Sequence, residues 1–535
     1  MSNKHQKFID TLTKAFNELL SRLEIPDIES GIIENMFPKS ILILLPLVQM
    51  YNYRQWRHGI LRFPIFWQML ILSYIYKNKG KKRLRTMEIN LQKTDVKTLS
   101  EEEINDLNGA VCLVASVQSY MTALEPLARS LHENGFKVCL LIPQEGLEWR
   151  AVKGLIGVIK VVEIESFMTP EIRDGYVKNR KKAVIGWEKI KPLDFFITDL
   201  SPLRDMMEIM PDQVKYVAAE IIPQTDAFMK CAANAIKFLK PKAIFAARLK
   251  RITENVFCRA AKADGIPVYM LNHGHFGQDW FPLSIGNVIT GVDKVIVWGE
   301  NQRQSIINLF PGLSQDKIFS AGGIQWDRHI RKYCGSDKPD IIELRRKISS
   351  ILAQNGSSID QTIPWITITM DEGMRRMLPT FFEAVDGLNG FHLFIKIRSD
   401  ESIEDYSRFV NNTTFPVTII TWDMDISLHE ILYSSLLAIT FASTSNIDGL
   451  CTGTPVLTLM LDKESQRADR YVYLEEYGLP VVTTRLELRS IIAEIIKPAF
   501  DPFKLKAAAG IAAENILANY PNCDAGLKII NLLMR

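Results

Sequence analysis

The stretch that most constrains this chain is LLAITFASTSNIDGLCTGTPVLTLML, residues 436–461. Its opening LLAITF is apolar without alternation, as a strand buried on both faces of a parallel sheet must be. Ser443, Thr444 and Ser445 follow at its carboxyl end, and a short helix is expected over 446–451. Gly453 suits the position just past that helix, and Pro455 prevents its continuation. PVLTLML then supplies a second strand. Strand, turn, helix and strand in this order imply an α/β fold with a parallel sheet. Helix-start amides lack internal partners and carry the positive end of the helix dipole, so hydroxyls beside them can help hold a phosphate. An ordinary helix capped by Ser443 fits the same pattern.

Ser443, Thr444, Asp448, Gly453, Pro455 and Val456 together resemble the nucleotide-sugar-binding turn of GT-B glycosyltransferases. The resemblance implies that Ser443, Thr444 and Ser445 bind the donor phosphate and that Asp448 contacts the ribose. Family members usually carry Glu-Ala where this chain has Asp448-Gly449, so its carboxylate is one methylene shorter.

A chain of 535 residues is long enough for two or three domains with sizeable cores. Hydrophobic residues make up 47% and charged residues 23%, which is ordinary for a globular protein. The net charge of +3 gives no electrostatic case for a nucleic-acid partner. The seven cysteines are scattered, and none lies in a C-x-x-C pair, so they read as reduced thiols and not as a disulfide framework or zinc site. The amino terminus is polar and shows no cleavable signal.

The first 108 residues read as a helical, membrane-associating region and linker. Phe8, Ile9, Leu12, Phe16, Leu19 and Leu20 share one helical face. The apolar runs at 41–50 and 64–76 fall short of the roughly 20 residues a spanning helix needs. Trp56 and Trp67 suit a headgroup region, and the basic run at 77–85 suits anionic lipid on a cytoplasmic face. An interfacial or re-entrant element is therefore expected, with a buried helical hairpin as the alternative.

Residues 109–330 read as a first Rossmann-like domain. GAVCLVASV is a strand, the helix after it ends at Gly135, and KVCLLIP is the next strand. Leu127, Ala128, Leu131, Gly135 and Val138 resemble the opening of a GT-B acceptor domain, which places Ser116 and Gln118 in an acceptor-side loop. Residues 145–240 read as mostly helical, with a strand-like segment at 194–200. His273 falls just past the strand VYML, where open α/β sheets bind ligands, and its side chain titrates near neutrality. His275 competes for the same role. The strand followed by His-Gly, then Trp298-Gly299-Glu300, then Gly322, Gly323, Trp326 and Asp327, is similar to bacterial capsule and surface-polysaccharide GT-B enzymes. The resemblance implies that His273 deprotonates or holds an acceptor hydroxyl.

Residues 331–535 read as a second Rossmann-like domain. Asp371, Glu372 and Gly373 end a strand and resemble the acidic motif that supplies a base in capsule sialyltransferases, although there the motif belongs to the first domain. Glu372 is accordingly a candidate base, but an ordinary charged helix start is the favoured explanation, because acidic residues stabilise that position unaided. Lys396 and Arg398 end the next strand, where related enzymes carry Lys-x-His-Pro; two cations there suit the charge of a departing nucleotide. Asp423 and Asp425 form D-M-D but read as the cap of a following helix. The remainder reads as helical, its last helix crossing back to the first domain.

The expected fold class is thus α/β, two Rossmann-like domains facing a cleft (GT-B), with the amino-terminal region on a membrane. The expected activity is metal-independent transfer of a sugar from a CMP-, CDP- or UDP-linked donor, with no cofactor. The acceptor would be a lipid-linked or surface glycan at the cytoplasmic face of the inner membrane, the protein being peripheral or monotopic there. A CDP-polyol phosphotransferase, a nucleotide-sugar 2-epimerase and a membrane-bound non-catalytic scaffold are the alternatives.

Overall fold

The computed structural model describes residues 99–189, 222–247, 252–272, 291–309, 313–398, 401–410, 413–441, 443–462 and 472–534, with a few isolated positions besides. The expected membrane-associating segments at 41–86, the strand-like 194–200, His273 and His275 lie outside these residues. Among the described residues no helix is long and apolar enough to cross a membrane.

In chain order the first half runs α1 (Glu101–Leu107), β1 (Val111–Val114), α2 (Met121–Glu133), β2 (Val138–Ile142), α3 (Arg150–Lys153), β3 (Lys160–Glu163) and α4 (Pro170–Lys189). It continues through α5 (Ile222–Leu239), β4 (Ala243–Ala246), α6 (Ile252–Ala263), β5 (Val268–Leu271), β6 (Lys294–Val297), α7 (Glu300–Leu309) and β7 (Ile318–Ser320). The second half runs α8 (Ile324–Cys334), α9 (Ile341–Gln354), β8 (Trp365–Thr369), α10 (Glu372–Val385), β9 (His392–Lys396), α11 (Glu404–Val410) and β10 (Val417–Ile420). Then come α12 (Leu428–Ser434), β11 (Leu437–Thr440), α13 (Ser445–Cys451), β12 (Val456–Leu459), β13 (Val481–Val482), α14 (Arg485–Ile495), α15 (Phe503–Ile516) and α16 (Ala525–Met534).

These strands form two sheets, one of seven strands in the order β3-β2-β1-β4-β5-β6-β7 and one of six in the order β10-β9-β8-β11-β12-β13. Among the described residues, every pairing with a defined register is parallel. The contiguous apolar runs are the cause. β1, β2, β4, β5, β8, β11 and β12 are buried at every position, so neither sheet face in these strands meets water. The chain forms two compact units, the first holding β1 through the start of β6, the second holding α7 and everything from Ile318 onward.

The β1–α2–β2 opening follows the sequence pattern, with Gly135 in the left-handed region (φ 79°) just past α2. Two strands were hidden. β3 lies in a stretch expected to be mostly helical, because KVVE is short and half-exposed at a sheet edge and leaves almost no periodic signal. β13 has only two residues inside a carboxyl-terminal region expected to be all helix. The cap of α12 is also corrected. Its N-cap is Ser427, which forms a reciprocal capping box with Glu430; neither Asp423 nor Asp425 caps it.

In the second unit, Trp298, Trp326 and Asp327 of the surface-polysaccharide-like set are buried or half-buried and hold the packing together. Trp298 is buried edge-on against Trp326, with ring centroids 4.7 Å apart, in a cluster with Leu432, Ile447, Leu450 and Val456. Asp327 accepts from Asn519 Nδ2 (2.5 Å) and from the Gly526 amide (3.2 Å), which fixes the chain entering α16 to α8. Gly449 on α13 faces β12 so closely that a Cβ there would overlap Val456 Cγ1. This close approach accounts for the absence of the usual alanine. Gly449→Ala is expected to cost about 1–3 kcal/mol by overpacking, read as a lower urea midpoint with an unchanged slope.

Candidate functional site

In each sheet the chain moves outward in one direction and then returns to the other side of its first strand. The order therefore reverses between β1 and β4 in the first sheet and between β8 and β11 in the second. Open parallel sheets bind ligands outside the carboxyl ends of their strands at such points.

At the first reversal, Ser116 lies just past β1. Its amide and its hydroxyl donate to the two oxygens of Glu254, at 2.6 and 3.0 Å. Glu254 sits in the first turn of α6, after β4, and is fully buried. The sequence flagged Ser116 but not its partner, because a glutamate in a first helical turn looks like ordinary dipole complementation. Gln118 lies in the same loop and is exposed. Further along the carboxyl edge, Glu165 follows β3 and accepts from the Gln144 amide at 3.0 Å. It is 4% exposed. Burial pushes its carboxyl up to about 7; bonds from its own and the Gln144 amide pull down, and Glu163 and Glu145 push up further. It too was missed, since nothing local marks a glutamate as buried.

At the second reversal, the loop after β8 meets the turn after β11. Asp371 is the N-cap of α10, accepting from the Met374 amide at 2.7 Å. Burial raises its pKa, opposed by the Met374 and Gly373 amides and by the charges of Arg398 and Arg376. Glu372 is the first residue of α10. Gly373 abuts the Phe441 ring closely enough that a Cβ would overlap it, which brings the two loops together. Arg375 pairs with Glu401 at 2.8 Å, and Arg376 with Asp462 at 3.6 Å.

The 443–446 turn is held from inside by Asn446, which the sequence did not single out. Its buried Nδ2 donates to the carbonyls of Phe441 (2.7 Å) and Ser443 (3.1 Å), and its Oδ1 accepts from Thr458 Oγ1. An Asn replacing backbone bonds in a turn is the only local clue. Within the turn, the amides of Ser443, Ser445, Asn446 and Ile447 are internally bonded. Ser443 and Ser445 share a hydroxyl contact at 3.2 Å. α13 takes Thr444 as its N-cap without a side-chain bond, so Ser443 is not its N-cap.

Asp448, one helical turn on, is held from two other helices. Trp326 Nε1 donates to its Oδ1 at 2.7 Å, and His429 Nε2 lies 3.2 Å from the same oxygen. His329 stacks flat on His429, with centroids 3.4 Å apart. Burial and then His429 push His329 down to about 3, so it is neutral at physiological pH. Lys396 ends β9 and donates to the Thr421 carbonyl at 2.6 Å, just past β10. Burial lowers it to about 8, against the pull of Asp423. Arg398 is exposed, and its amide donates to Glu401 at 3.0 Å.

No family model matches the chain, and no curated protein matches it. Solved structures do. UDP-GlcNAc 2-epimerase from Neisseria meningitidis, bound to UDP-GlcNAc, superposes with a TM-score of 0.50 at 13% identity, over 79% of this chain and 99% of that one. The fold is GT-B. MurG from Acinetobacter baumannii is similar at a TM-score of 0.46 and 11% identity, over 80% of this chain and 99% of that one. In this GT-B chain the second-sheet candidates Glu372, Lys396, Arg398, Ser443, Thr444 and Ser445 lie at or just past the carboxyl ends of β8, β9 and β11, and Asp448 lies within α13.

Two outcomes test this electrostatic picture. Ser116→Ala removes a donor from a buried carboxylate and should destabilise the chain by about 1–3 kcal/mol, read by chemical denaturation. Glu165 has a folded pKa above its unfolded one. Its contribution is therefore whole below about pH 4 and is lost as pH rises through about 7. Wild type should lose roughly 2–3 kcal/mol of stability over that window relative to Glu165→Gln, in denaturation curves from pH 4 to 8.

Proposed function

We propose that the protein is an enzyme acting on a nucleotide-activated sugar, and that it transfers the sugar to a lipid-linked or surface-glycan acceptor at the cytoplasmic membrane face. One observation carries the nucleotide-sugar part. The second reversal point gathers a hydroxyl-rich turn, a carboxylate fixed by two N–H donors and basic side chains at neighbouring strand ends. Phosphate would meet the Thr444 and Ser443 hydroxyls. Asp448 would accept from ribose, and Arg398 would screen charge on the departing nucleotide. His273, which follows VYML in the sequence, would take the acceptor proton. The solved neighbour that holds UDP-GlcNAc supports the donor class.

The glycan acceptor and membrane site rest on the aromatic and basic residues of 51–85. The epimerase reading is favoured by the Neisseria similarity. It differs in one respect, since an epimerase converts the nucleotide sugar with no acceptor present.

A ligand that binds only the folded chain raises its melting temperature. In a panel of UDP, CDP, CMP and their sugar derivatives, a uridine or cytidine nucleotide should stabilise the protein by a few degrees. Ser443→Ala with Thr444→Ala should abolish most of the shift. Stabilisation by no nucleotide would overturn the reading. Acceptor-free conversion of UDP-GlcNAc to its 2-epimer, followed by NMR, would replace transfer with epimerisation.

A further inference from the structure

The Asp448 carboxylate is built unevenly. Oδ1 takes Trp326 Nε1 from α8 and His429 Nε2 from α12. A carboxylate oxygen only accepts, so Nε2 carries the proton. Oδ2 accepts no hydrogen bond from the described residues, and the side chain is 15% exposed. Trp326 is almost fully buried against Trp298, so its ring cannot swing away. His429 is fixed by its flat stack on His329. Two rigid rings from different helices thus aim one short carboxylate.

We infer that Trp326 and His429 are positioning residues that hold Asp448 Oδ1 so that Oδ2 accepts the ribose hydroxyls of the nucleotide. The inference rests on the nucleotide-sugar reading above and adds to it the reason a shorter acid serves here. An unrestrained aspartate samples several rotamers, and fixing it in advance removes that entropic cost from binding. The stack on His329 completes the packing that holds the His429 ring.

The test uses pairs of ligands differing only in the ribose, namely UDP and CDP against their 2′,3′-dideoxy forms, with affinities from calorimetry. A hydroxyl donating to a carboxylate contributes roughly tenfold in affinity, so the wild-type chain should prefer the ribose forms by about that factor. Trp326→Phe keeps a ring but loses the N–H. His429→Phe keeps the stack on His329 but loses its donor. Each should reduce the preference to about threefold or less, with dideoxy affinity changed less than twofold. A purely structural role would weaken both forms alike and leave the ratio unmoved. Retention of the wild-type ratio in folded variants would overturn the inference while leaving nucleotide binding intact. So would a wild-type chain that binds both forms equally. Binding of neither form by wild type would remove the nucleotide reading and the inference with it. If Trp326→Phe does not fold, His429→Phe decides, because His429 lies nearer the surface.

Discussion

The structure depends on parallel sheets covered on both faces. Once β1, β4, β8 and β11 are buried along their whole length, a polar ligand has no access to the sheet faces. The strand ends are what remain, and the carboxyl ends open into loops and helix starts with backbone donors. Where the winding reverses, the two exit loops diverge to opposite faces and leave a crevice. The polar residues of both units collect there for this reason. Ser116 and Glu254 occupy one reversal, and the 371–373 loop and 443–446 turn the other.

These edges also show how a fold spends buried polar groups on shape. Glu254, Asn446 and Asp327 are internal fasteners, each tying chain segments far apart in sequence or closing a tight turn. A carboxylate fixed by two donors keeps one geometry, and breaking one donor leaves a buried group unsatisfied. Lys396 belongs with these fasteners, because its ammonium is bonded to the Thr421 carbonyl at the end of the neighbouring strand. Asp448 differs in leaving one oxygen without a protein donor among the described residues.

Resemblance and packing turn out to be intertwined. Trp298, Gly323 and Trp326 gave the most specific family likeness in the chain, yet they lie inside the second unit's core. Trp326 is both a core residue, through its ring, and a donor to Asp448, through Nε1. One side chain here serves packing and hydrogen bonding together. It therefore marks a fold and a candidate site at once.

The sequence by itself determined the α/β class, the strands that form both sheet centres, and the turns where Ser116 and Ser443 stand. Those features follow from local apolar runs, glycine and proline, whose effects act within a few residues. Edge strands β3 and β13 escaped because they are short and half-exposed, and so carry no pattern. Only the tertiary structure decided that Glu254 and Glu165 are buried, that Lys396 faces a carbonyl, and that Trp326 and His429 meet at Asp448. Each of those facts joins residues brought together by strand order and helix packing, at separations from 19 to 138 positions where a partner is bonded. Local sequence carries no record of such distances.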